Sequence, residues 1–174
     1  MNERRRRFLI DACALCAATA ARPLYASDEG HTIPTSFPPL ERRDLPWHEL
    51  LEPERFEILF LEETEFPGSS PLNHEYRSGT YICAACYLPL FRSQHKYDSG
   101  TGWPSFTQPI EGHIETRVDR RGREPIVEYH CKRCGGHQGH VFRDGPPPRG
   151  ERWCNNGLAL LFIPRNQPLP PLRK

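Results

Sequence analysis

Apolar positions recur along this chain with two different periods. Over residues 52–63, Phe56, Leu59 and Phe60 fall on one face at helical spacing with charges on the other, which predicts an amphipathic helix. A shorter helix precedes it, with Asp44 as its N-cap and Trp47, Leu50 and Leu51 along it. Pro67-Gly68-Ser69-Ser70-Pro71 then breaks the helical part. From Gly79 the pattern becomes that of short strands: Thr80-Tyr81-Ile82, then Leu88, Leu90 and Phe91, then Val141-Phe142 and residues 158–162. Ile126, Glu128 and His130 alternate with Val127 and Tyr129, as in a strand with two distinct faces. Asp98-Ser99-Gly100-Thr101-Gly102 reads as a tight turn with two glycines free to take positive φ. Residues 144–150 must be a loop, because prolines cannot donate to a strand ladder. The expected fold class is α+β, a mainly antiparallel β core with N-terminal helices.

At 174 residues, with 37% hydrophobic and 26% charged positions, the chain has room for one folded domain plus an extension. Nineteen prolines and thirteen glycines argue against long helices. The extension is N-terminal. Arg4 to Arg7 form a basic head, a mostly apolar, alanine-rich run follows over residues 8–21, and Ala26 stands at a plausible cleavage point. This is the layout of an export signal, and the arginine pair before Phe8-Leu9 is of twin-arginine type. Asp11 weakens the apolar run, which is also too short to span a bilayer, so no stable membrane insertion is expected. The competing reading is a disordered basic tail on a cytoplasmic protein. The organisation expected is an export signal over 1–26, a linker over 27–43, a catalytic domain over 44–164 and a Pro-rich tail over 165–174. A formal charge of +1 gives no global reason to expect nucleic acid as a partner.

The seven cysteines divide in the same way. Cys13 and Cys16 lie in the signal, leaving Cys83, Cys86, Cys131, Cys134 and Cys154. The first four form two C-x-x-C pairs, and two such knuckles supply the four-sulfur shell that Zn²⁺ prefers in closed structural sites. The rival readings are two disulfides or one redox-active pair.

Cys154 is left over. A lone cysteine is more often buried and inert, but its neighbours Arg152 and Asn156 are suited to stabilise a thiolate or a developing charge. His137 and His140 stand in a glycine-rich segment that permits close approach to a ligand. Trp103, on a turn, suits the wall of a small apolar pocket, although a plain core anchor would look the same.

These blocks together resemble the methionine sulfoxide reductase B family. The matching segments run from Gly79 through the first cysteine pair, then Tyr97-Asp98-Ser99-Gly100-Thr101-Gly102-Trp103-Pro104-Ser105-Phe106, the second pair, Gly139-His140-Val141-Phe142-Arg143-Asp144-Gly145-Pro146, and Arg152-Trp153-Cys154-Asn155-Asn156. Trp47 and Glu62-Glu63-Thr64-Glu65 look like the family's helical lead-in. The resemblance implies thiol-dependent reduction of methionine-R-sulfoxide in oxidised proteins. Cys154 attacks the sulfoxide sulfur while His140, or secondly His137, assists the oxygen, and the resulting sulfenic acid is cleared by a thiol. Trp103 and Phe142 would hold the substrate, and Arg152, Asn156 and Glu128 would orient water and charge. It also implies one structural Zn²⁺ on Cys83, Cys86, Cys131 and Cys134. Reductant partners would be a thioredoxin-like protein or a small thiol in the periplasm. The chain departs from the family at three positions: Thr101 replaces a common resolving cysteine, Gly157 a serine, and Gln138 a leucine, the last two bearing on pocket geometry. The alternatives are a non-catalytic zinc-ribbon binding module and a C-x-x-C oxidoreductase.

Overall fold

The computed structural model describes residues 30–40 and 45–174, so the export segment expected over residues 1–26 and the cap expected at Asp44 lie outside the described residues. Two short helices come first, α1 (Trp47–Leu50) and α2 (Pro53–Leu61). Pro53 suits the first turn of α2, where an amide has no intrahelical partner. The helix stops two residues short of its predicted end. Glu62 takes a left-handed conformation (φ 62°), and its carboxylate accepts hydrogen bonds from Arg117 and Arg121. Residues 62–66 are therefore an irregular loop, which corrects the expected helical lead-in.

Two antiparallel sheets follow. The smaller has the order β2 (Pro89–Arg92), β1 (Gly79–Cys83), β9 (Leu160–Pro164). The larger has the order β3 (Lys96–Tyr97), β4 (Ser105–Phe106), β8 (Arg152–Asn155), β7 (His137–Phe142), β6 (Ile126–Cys131), β5 (Ile114–Asp119). Aromatic residues join them. Phe91 of β2 stacks on Phe106 of β4 with ring centroids 4.1 Å apart, and Tyr81 of β1 meets Phe106 edge-on at 4.9 Å. Tyr129 of β6 closes the cluster against Phe91 and Trp153. Tyr81, Phe91, Phe106 and Tyr129 are fully buried, and each such side chain contributes about 1.5–3 kcal/mol by leaving water. Leu59 and Phe60 of α2 complete the core with Trp47, which stacks on Phe60 at 5.0 Å.

The two faces expected for β6 exist, but the polar one is buried as well. Glu128 is 1% exposed because His130 and His137 pack on it and Arg117 covers it from β5. Residues 30–40 carry no regular structure and are fastened to the body. His31 bonds Thr80 and the Gln167 carbonyl, His113 bonds the Pro34 carbonyl, and Leu40 N–H donates to Arg133. The tail crosses the same region, with Arg173 N–H donating to the Cys86 carbonyl. No described helix is long and apolar enough to cross a membrane.

Candidate active site and metal centre

Both C-x-x-C pairs end on one point. Cys83 closes β1 and Cys131 closes β6, and a turn after each returns the second cysteine to the first: Tyr87 N–H donates to the Cys83 carbonyl and Gly135 N–H to the Cys131 carbonyl. Gly135 takes φ 69° to make the second turn. The four sulfurs lie within 4.8 Å of one another, with Cys83–Cys134 at 3.7 Å and Cys86–Cys131 at 3.5 Å. A tetrahedral shell with metal–sulfur bonds near 2.3 Å has edges of about 3.8 Å, so the set fits a metal ion. The thiols are free, which removes the disulfide reading. Burial above all, with neighbouring cysteines adding to it, pushes the Cys83 and Cys131 thiols well above their ordinary range. A cation is what makes four buried thiolates tenable. Gln138 is fully buried and points its amide at Cys83 Sγ (3.6 Å) and the Gly136 carbonyl (3.4 Å). It serves this centre, and not the substrate pocket to which its difference from the family first pointed.

The strand register aligns the second site. Tyr97 pairs with Ser105, Ser105 with Cys154, Cys154 with His140, His140 with Glu128 and Glu128 with Arg117. Directly opposed residues share a face, so one polar row crosses the whole larger sheet with Cys154 and His140 at its middle. Gly139 makes this possible, since a Cβ there would lie 1.9 Å from the Cys154 carbonyl oxygen. A pocket of about 110 Å³ opens over the row, lined by Trp103, His140, Phe142, Cys154 and Asn156 from the expected set and by Thr64, Gly139 and Asn155 beside them. His137, Glu128 and Arg152 do not line it.

Those three residues stand behind the pocket. Arg152 is clamped on Asp144 by two hydrogen bonds (2.8 and 2.9 Å) and lies 4.2 Å over the Phe142 ring, which fixes one pocket wall. His137 Nδ1 is 2.6 Å from Glu128 Oε1. Burial pushes this imidazole down to about 4, so it is neutral at physiological pH. Glu128 is pushed up by burial, but Arg117 and the two histidines outweigh that and hold it below its ordinary value. His140 Nε2 is 3.3 Å from Asp119 Oδ2. Arg121 holds Asp119 well below the usual carboxylate range, so Asp119 only accepts and Nε2 must be the donor.

Glu65 was not legible as part of the site, and it organises much of it. Its carboxylate accepts from Gly157 N–H (2.6 Å) and Leu158 N–H (2.9 Å), and its own amide donates to Asn156 Oδ1 (3.1 Å). Its carbonyl accepts from Trp103 Nε1 (3.1 Å). Asn156 Nδ2 is spent on the Gln138 carbonyl, so Asn156 braces the pocket with both ends of its amide committed. Gly157 lies outside the pocket lining, where a Cβ would meet Ser70 Oγ at 1.9 Å. In sequence, Glu65 is one acid in a short acidic stretch, which reads as a solvated surface.

Cys154 itself is half-buried. Burial raises its pKa above the ordinary thiol value, opposed by the Arg152 cation and by the Thr101 and Ser105 hydroxyls. Burial thus offsets the preference for the thiolate that Arg152 supplies. Thr101 and Ser105 both bond Ser99 Oγ, each at 2.8 Å, so three hydroxyls gather on this side of the sulfur.

A family model described as SelR domain matches residues 51–164. A peptide methionine sulfoxide reductase MsrB from Pseudomonas putida (strain W619) is 48% identical over 122 residues, covering 69% of this chain and 91% of that protein. A protein of the same name from Agrobacterium fabrum is 43% identical over 128 residues, 73% of this chain and 95% of its own length. The chloroplastic peptide methionine sulfoxide reductase B2 of Arabidopsis thaliana is 44% identical over 125 residues, 71% of this chain and 61% of its own.

Proposed function

The chain belongs to the methionine sulfoxide reductase B family, and on that premise we propose that Cys154, His140 and Trp103 carry the family's chemistry in it. The reaction is thiol-dependent reduction of methionine-R-sulfoxide to methionine. The observation that carries the assignment is the register: Cys154 and His140 face each other across β7 and β8 at the mouth of a small pocket walled by Trp103 and Phe142.

The Cys154 sulfur attacks the sulfoxide sulfur and the sulfur–oxygen bond breaks. Methionine leaves, having gained two electrons, and the oxygen passes to Cys154 as a sulfenic acid. His140, oriented by Asp119, is the group placed to move the thiol proton to the departing oxygen. Trp103, held by Glu65, packs on the substrate methyl group, and Arg152 favours the thiolate as it forms. A thiol then attacks the sulfenic acid, releasing water and leaving a mixed disulfide that a second thiol resolves. Thr101 cannot do this, and the four metal-site sulfurs are buried together, so the thiol comes from outside the domain.

We assign zinc to the four-cysteine centre, because an all-sulfur tetrahedral donor set is the one Zn²⁺ favours in closed sites. Its role is structural, since four ligands leave no open position. The same geometry argues against the C-x-x-C oxidoreductase reading, because thiols held by a metal are withdrawn from exchange. The relatives, named as reductases, give the binding-module reading no support. Export by a twin-arginine route to the periplasm is proposed from the basic head and apolar run of residues 1–26.

Turnover of the two epimers with dithiothreitol tests the function. The R epimer should be reduced and the S epimer left, and Cys154→Ser should abolish turnover while retaining metal and fold. Activity in that variant would move the chemistry to another residue.

A further inference from the structure

Beside the active-site pocket lies a second, larger cleft of about 600 Å³, and Thr64 lines both. Leu61, Phe66 and Leu158 form its apolar surface, and Glu54, Glu57 and Glu63 stand around it. Phe66 is 85% exposed and Leu61 56%. This exposure does not come from a loose loop. The Phe66 carbonyl accepts from Ser69 N–H and Oγ, Gly68 N–H donates to the Gly102 carbonyl (2.7 Å), and Glu65 is pinned on both sides of the active site. The backbone thus holds a large aromatic ring in water next to the reactive pocket, where the core gains nothing from it. None of the three carboxylates has an ion pair among the described residues.

We propose that this cleft docks the polypeptide flanking the oxidised methionine, seating an apolar side chain on Phe66 and Leu61 and a lysine or arginine among Glu54, Glu57 and Glu63. This rests on the sulfoxide reductase reading and deepens it: the pocket takes the sulfoxide, and the cleft sets which sequence contexts are repaired fastest. Continuity through Thr64 fixes the occupant as the substrate's own chain. The two cavities share Thr64, so the contacts belong to residues next to the sulfoxide along an extended chain. The apolar contact acts at close range, and the acidic rim acts mainly on encounter and weakens with salt.

The test measures kcat/KM of the full chain, with dithiothreitol, on three substrates: free methionine-R-sulfoxide, a pentapeptide with leucine and lysine beside the R-sulfoxide, and one with glycine and aspartate. The wild type should prefer the leucine–lysine peptide over the glycine–aspartate one by about fivefold or more, through KM, a ratio corresponding to about 1 kcal/mol. Leu61→Ser/Phe66→Ser should lose most of that preference and keep its rate on the free amino acid, which also shows that the variant is folded. Glu54→Gln/Glu57→Gln/Glu63→Gln should lose the part that 0.5 M salt removes from the wild type. Equal use of both peptides by the wild type, or an unchanged preference in both variants, would overturn the cleft. No turnover of any of the three by the wild type would instead overturn the reductase reading beneath it.

Discussion

Burial and charge oppose each other at Cys154. Desolvation raises the thiol pKa above 9.0, while Arg152, Thr101 and Ser105 pull it down. The thiolate fraction, and with it the rate of alkylation by iodoacetamide, should keep rising with pH past 9. Arg152→Met removes the leading opposing charge and should slow alkylation several-fold at pH 8; a rate already level below pH 8 would contradict this balance. His137 offers a second test. Its folded pKa is pushed down from 6.5 to about 4, so its contribution to stability is complete above about pH 6.5 and is lost as pH falls toward 4. Urea midpoints should show roughly 2 kcal/mol of loss between pH 7 and 5 that His137→Gln lacks. Equal losses in both proteins would place the acid sensitivity elsewhere. Cys154 and Trp103 were legible in the sequence because one was the unpaired thiol and both sat in specific motifs. Glu65 was not, because a carboxylate that receives two buried backbone amides looks, in sequence, like its exposed neighbour Glu63.

The elements were legible wherever their period was local. A short strand-forming run located β1, alternation located β6, and the glycines of residues 98–102 do take positive φ at Gly100 and Gly102. The end of α2 was missed because it is decided by Arg117 and Arg121, more than fifty residues away, which draw Glu62 out of the helix. Sheet order escaped for a related reason, since pairing of β4 with β8 depends on contacts that no local window contains. The same distance explains Gly157, whose missing side chain makes room for Ser70. Gly157→Ala should cost about 1–3 kcal/mol by overpacking and lower activity by loosening Glu65. Ser70→Gly in the same chain should recover part of both, as a double-mutant cycle of thermal unfolding would show. Strict additivity of the two changes would mean that they do not meet.

At the scale of the molecule, the four-cysteine centre and the polar row divide the labour between holding the fold and doing the chemistry. Cys83 and Cys131 each end a strand, in different sheets, so the centre ties the two sheets together. Metal analysis should find one zinc per chain, and serine at Cys83, Cys86, Cys131 or Cys134 should abolish both metal and cooperative unfolding. Retained metal in such a variant would displace the centre. Export is tested separately: Arg6→Lys/Arg7→Lys should leave precursor in the cytoplasm, and an intact N-terminus on the wild-type protein would defeat the signal reading. Since Thr101 cannot resolve a sulfenic acid, the domain should stop after one turnover when no external thiol is present. The most direct measurement is therefore a single turnover: the zinc-loaded protein with one equivalent of methionine-R-sulfoxide and dimedone, without reductant, analysed by mass. The expected result is one methionine released per chain and one dimedone adduct, on Cys154. Methionine released with Cys154 unmodified, or with Cys154 in an intramolecular disulfide, would contradict it.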